Sequence, residues 1–115
     1  MKLIRAGRLD RRVKILRRLP DVDDGYGPRP GKFALLFTRL ASVKPKFGGE
    51  AIEAAGREGR TLMSFWLRFD SQTRDILTSD ALELDGTRYE ITAPPIEIGR
   101  REGIELLAVA GGLPK

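Results

Sequence analysis

The sequence predicts a mainly β fold, a small antiparallel β-barrel or sandwich with long loops and one short helix. Three observations carry this. Apolar and polar residues alternate over several runs of about five to ten residues, the period of a half-buried strand. The runs are separated by Gly, Pro and Asp, which favour turns. An Asp85-Gly86 pair stands between two alternating segments, the pattern of a two-residue hairpin.

Each element follows from its own residues. In Arg11–Arg17, Val13 and Ile15 share one face and Arg12 and Lys14 the other. Pro20 ends that strand, and residues 21–31 are too rich in Asp, Gly and Pro for regular structure, so they read as a flexible exposed loop. The second run, Phe33 to Val43, places Phe33, Leu35, Phe37, Ala41 and Val43 on one face. Arg39 breaks that face, which suggests a bulge or an edge position there. Pro45 closes the run. Gly48-Gly49 opens the stretch Glu50–Arg57, with acids in its first turn and Arg57 at its end, as the helix dipole favours. About two turns are too short to stand alone, so this helix must dock.

From Thr61 to Phe69, Met63, Phe65, Leu67 and Phe69 alternate with Leu62, Ser64, Trp66 and Arg68. Both faces carry large apolar groups, so the strand is expected to be covered on both sides. Leu82–Leu84 and Tyr89–Ile91 flank the Asp85-Gly86 turn. Ile104–Val109 is the last strand, before a tail at 111–115. Five or six such strands make a closed sheet, which removes edges open to indiscriminate pairing. At 115 residues the chain is expected to be a single domain spanning 1–115.

Composition narrows function. Cysteine and histidine are both absent. Disulfides, thiol nucleophiles, imidazole general bases and the usual zinc sites therefore have no residues to form them. The expectation is a protein that is not an enzyme and carries no cofactor or metal. Asp21-Val22-Asp23-Asp24-Gly25 has the wrong acid spacing for a calcium loop, with Lys32 where the twelfth ligand would stand. Gly25-Tyr26-Gly27 lacks the Lys of a phosphate loop. No apolar run reaches the ~20 residues of a membrane helix, and the basic start has no apolar stretch after it, so neither a membrane partner nor a signal peptide is expected.

The formal charge of +5 admits nucleic acid or an acidic protein surface as a neighbour. Phe65-Trp66-Leu67-Arg68-Phe69 raises the question of base stacking, since aromatics on basic barrels bind single strands that way. Phe65, Leu67 and Phe69 share the core parity, leaving Trp66 and Arg68 as the platform. Buried packing is the better reading of such large rings. A small basic nucleic-acid-binding module of the oligonucleotide-binding type stands as the alternative.

A set of motifs runs in order along the chain. Gly7-Arg8-Leu9-x-x-Arg12-Val13-x-Ile15 comes first, then the acidic Gly loop, Leu40-Ala41-Ser42-Val43-Lys44-Pro45, and Gly49-Glu50 leading to Ala54-Ala55-Gly56. There follow the aromatic strand ending Arg68-Phe69, the hairpin Asp85-Gly86-x-x-Tyr89-x-Ile91, and Arg100-Arg101-x-x-Ile104-Glu105-Leu106-Leu107. Over residues 7–110 this arrangement resembles the bacteriophage head–tail joining family, the head-closure or stopper proteins of long-tailed phages. Two departures stand out: Leu40 replaces the usual Trp, and Asp70–Leu77 differs from the family's turn.

The resemblance implies a virion neck protein made in the bacterial host cytoplasm. It implies a ring, dodecameric on the assembled neck and a monomer or weak oligomer when free. The ring would sit under the portal and adaptor proteins, close the exit channel after packaging, and offer a surface to tail proteins. DNA would pass through its channel. A loop between the second and third strands, here 44–60, would reach that channel. A dodecamer would carry about +60, yet salt screens charge beyond roughly 8 Å, so only lining residues would be felt. Lys44, Lys46, Arg57 and Arg60 are the candidate channel residues. Glu50, Ile52, Leu62, Trp66, Arg68, Arg100 and Arg101 are the candidate protein interface, with Ile52, Leu62 and Trp66 as exposed apolar anchors. A relative acting in the tail tube or its terminator is a third reading.

Overall fold

The alternation in Arg11–Arg18 (β1) buries Val13 and Ile15 completely and leaves Arg12 and Lys14 exposed. The computed structural model describes residues 9–23, 25–46 and 61–110. β1 runs antiparallel to Phe33–Pro45 (β4), from Arg11 opposite Ala41 to Arg18 opposite Phe33. Between them, Val22–Asp23 (β2) and Pro28–Arg29 (β3) form a minimal ladder at the tip of the β1–β4 arm. The segment read as an irregular loop is thus a small hairpin, its turn held by the Gly25 amide donating to Asp23 Oδ1 at 2.9 Å.

Leu62–Arg68 (β5) pairs with the second half of β4 and with Gly103–Ala110 (β9). Ala81–Leu84 (β6) and Thr87–Ile91 (β7) are the two strands of the foreseen hairpin. Asp85 and Gly86 both adopt positive φ, 51° and 83°, the conformation that such a turn demands. β6 joins β1, β7 joins β9, and β9 joins β5. The ring β5-β4-β1-β6-β7-β9 therefore closes as a six-stranded antiparallel barrel. A short strand not foreseen from the sequence, Ile96–Ile98 (β8), continues beside β9.

The inward residues fill the barrel: Val13, Ile15, Leu67, Leu82, Leu106 and Phe65 are fully buried. Phe65 meets Tyr89 edge to face at 5.2 Å between centroids, a geometry favoured by the ring quadrupoles. The connection from β5 to β6 closes one end of the barrel. Its only regular element is a single 3-10 turn, Thr73–Asp75, among the described residues the sole helical element. The short helix expected at Glu50–Arg57 lies outside the described residues.

Two expectations for β4 need correction. The bulge lies opposite Ile15 and Leu16, where Leu36 has no partner, while Arg39 takes the other expected place, on the part of β4 that pairs with β1 alone. The extra residue flips the parity beyond it, so Leu35 turns outward and is 59% exposed, and Phe33 lies outside the core. Arg39 keeps the inward parity at the barrel end. There it donates to Asp70 at 3.0 Å and to the side chain of Gln72, and stacks on Phe37 at 4.8 Å. Finally, β4 continues through Pro45, so Lys44 belongs to a strand and not to the loop placed at 44–60.

Candidate functional site

Because β4, β5 and β9 are neighbours in register, their outward residues form one surface. Trp66 stands directly opposite Ser42 on β4 and Glu105 on β9. Lys44 is opposite Ser64, and Ser64 is opposite Leu107. The result is a hollow of about 340 Å³ lined by Ser42, Lys44, Pro45, Lys46, Ser64, Trp66 and Glu105. The fold thus brings together Lys44 and Lys46, expected on a channel loop, and Trp66, expected at a protein interface.

Glu105 organises the floor. Its side chain is only 12% exposed; it accepts a 2.7 Å hydrogen bond from the Ser64 hydroxyl and lies 3.7 Å from Lys46 Nζ. Buried charges need partners of this kind. Lys46 is held at its backbone too, its amide donating to the Leu62 carbonyl at 2.8 Å. Sequence reasoning passed over Glu105, although a lone acid within Gly-Ile-Glu-Leu-Leu-Ala-Val-Ala was the available signal.

Leu62 does not serve as an exposed anchor. It is 5% exposed and packs outside the barrel with Val109 and Leu107, whereas Arg68 on the same outward face of β5 is exposed, so that face is not covered along its length. Trp66 is half-buried and Arg68 exposed at the end of β5. Arg68 lies opposite Gly103, next to the β8–β9 turn that carries Arg100 and Arg101. That turn uses positive φ at Gly99 and Arg101, 65° and 60°, and the Arg101 amide donates to Glu97 at 3.0 Å. These three arginines therefore gather at one end of the barrel, apart from the hollow. Glu50, Ile52, Arg57 and Arg60 lie outside the described residues.

A second cluster escaped the sequence reading. The guanidiniums of Arg18 and Arg88 both sit over the Phe33 ring, at 4.4 and 4.8 Å, and Arg18 also donates to the Gly31 carbonyl at 2.9 Å. Only strand register, with its bulge, makes these residues neighbours. Among the described residues no group of three or more His, Cys, Asp or Glu could hold a metal ion, and no helix is long and apolar enough to cross a membrane.

The surface so described is a polar, tryptophan-bearing hollow beside basic strand faces, features suited to contact with other macromolecules. A family model described as phage head completion protein matches residues 4–111. No curated protein matches. The solution structure of protein SF1141 from Shigella flexneri 2a is similar, with a TM-score of 0.73 and 22% identity, covering 96% of this chain and 100% of that one. At that identity the likeness concerns the fold.

Proposed function

Since the chain belongs to the phage head completion protein family, whose members are structural components of the virion, we propose that it completes the neck. In this reading it closes the filled head after DNA packaging and joins it to the tail, as a ring under the portal and adaptor. The observation that carries the reading is the match over 4–111, which spans every strand of the closed barrel.

The geometry supports a contact role over a nucleic-acid one. Phe65 is fully buried and Phe37 packs against the core, so neither offers a face to a base. Among the described residues Trp66 is the one aromatic lining its hollow, so no row of rings stands there for successive bases to stack on. On the outer face of the barrel Trp66 is instead placed as an anchor for a protein partner, the role that large aromatics commonly fill.

Nuclease protection tests the proposal. Particles assembled without this chain are expected to lose their packaged DNA to added nuclease, and purified protein added to freshly filled heads is expected to restore protection. Heads that retain their DNA equally well without the chain would refute the reading.

A further inference from the structure

The outward face of the β1–β4 arm is basic and carries bare leucines. Register places Leu40 opposite Arg12, and Thr38, Lys14, Glu83 and Arg88 in one row across β4, β1, β6 and β7. Leu35 and Leu40 are 59% and 50% exposed on this face, about 13 Å apart at the rise of a strand. Arg12, Lys14 and Arg88 are exposed. The acids there are Glu83, which lies 4.0 Å from Lys14, and Glu90. Positive charge therefore prevails on this face, and Leu35 and Leu40 add exposed apolar area to it.

The tip of the same arm has the opposite character. Asp21 and Asp23 are exposed, Val22 is 58% exposed and Leu19 50%; Arg29 is the one cation of that hairpin. Tip and face do not meet within one chain, because the β1–β4 register holds the tip beyond the end of the arm. We propose that the acidic β2–β3 tip of one copy docks on the basic, leucine-bearing β1–β4 face of a second copy. Asp21 and Asp23 answer Arg12 and Lys14, and Val22, whose side chain points to the other side of the tip strand, lies at the margin of the contact beside Leu35. A contact between two different patches is heterologous and repeats from copy to copy, the arrangement that generates rings. The inference rests on the ring reading given above and supplies its subunit contact.

The chain has no cysteine, so single thiols report contacts cleanly. Full-length Val22→Cys and Leu35→Cys proteins are mixed at high concentration under mild oxidation. The mixture is expected to give disulfide dimers well above either variant alone, and above Val22→Cys mixed with Leu77→Cys, whose thiol would stand on the exposed β5–β6 connection. Asp21→Lys with Asp23→Lys on the tip partner is expected to lower the yield roughly three- to tenfold. Arg12→Glu with Lys14→Glu on the face partner restores it, and salt of about 1 M, with a screening length near 3 Å, lowers it as well. Equal yields in all mixtures, no dimer above the Leu77 control, or indifference to charge reversal would each overturn the contact, as would a face that binds only an acidic segment of another neck protein. The nuclease assay separates the two ideas. Variants that protect heads without this cross-link reject the contact and keep the neck role, whereas heads that need no chain reject the neck role whatever the cross-link shows.

Discussion

Arg17 holds Asp80 through two parallel hydrogen bonds, Nε to Oδ1 and Nη2 to Oδ2, each 2.9 Å long. The Asp80 side chain is 1% exposed and Arg17 is 40% exposed. The same carboxylate accepts from the Leu77 amide at 2.8 Å, and Arg17 also donates to the Asp75 carbonyl at 3.2 Å. This pair ties β1 to the connection that closes the barrel end. The bond to Asp80 outweighs partial burial and raises the affinity of Arg17 for its proton.

Removing one partner strands the other. Arg17→Ala leaves a buried carboxylate and is expected to cost about 2–4 kcal/mol. Asp80→Leu also frees the Leu77 amide. The double variant Arg17→Ala with Asp80→Leu is expected to lose less than the two singles combined. Denaturant midpoints in a double-mutant cycle check this; simple additivity would show that the pair does not act as a unit.

Acid should weaken the fold partly through Asp70. Burial pushes its carboxyl up, but the hydrogen bond from Arg39 and those from the Thr73 and Gln72 amides outweigh that and hold it below its usual value. A carboxyl depressed in the fold stabilises above its unfolded value, about 3.9. That contribution is lost as pH falls through the lower folded value. Asp70→Asn should therefore be less stable than wild type near neutrality and show a flatter loss between about pH 5 and about pH 2 in urea unfolding.

Two glycines are expected to fail in different ways. At Gly86 an added Cβ would meet nothing within 4 Å, but φ is 83°, so Gly86→Ala should cost about 1–2 kcal/mol through the backbone alone. At Gly31 an added Cβ would collide with the Leu19 and Pro20 carbonyls. Gly31→Ala is thus expected to move the β2–β3 tip as well as to destabilise. Amide NMR shifts separate the two: changes around residues 84–88 for the first, across 18–33 for the second.

If the hollow of β4, β5 and β9 receives a neck partner, Trp66→Ala should weaken attachment more than folding. A half-buried tryptophan outside the barrel is expected to cost at most about 1–2 kcal/mol of stability. Loss of a central aromatic anchor costs about 2 kcal/mol or more of binding. Melting curves beside titration onto filled heads measure both; equal losses would remove Trp66 from the contact.

Much of this barrel can be read from alternation. Val13, Ile15, Phe65 and Leu67 point inward as their parity demands, and Asp85-Gly86 makes the turn its residue types favour. What escaped depends on non-local register. The bulge at Leu36 arises because β1 and β4 differ by one residue where they pair, and nothing in either run alone marks it. The turn-out of Leu35 and the meeting of Arg18, Arg88 and Phe33 follow from that slip. Glu105 is only one position of a motif in the sequence; register brings Ser64 alongside it, and Lys46 reaches it by side-chain length. Leu62 has the outward parity of an exposed anchor, yet it is buried beside Val109 and Leu107 of the neighbouring strand.

Electron microscopy of filled heads assembled with and without this chain tests the central claim most directly. With the chain, a ring of density is expected beneath the portal and adaptor, and DNA should be retained. Without it, that density should be absent and heads should leak. Identical necks and equally full heads in both preparations would contradict the proposed role.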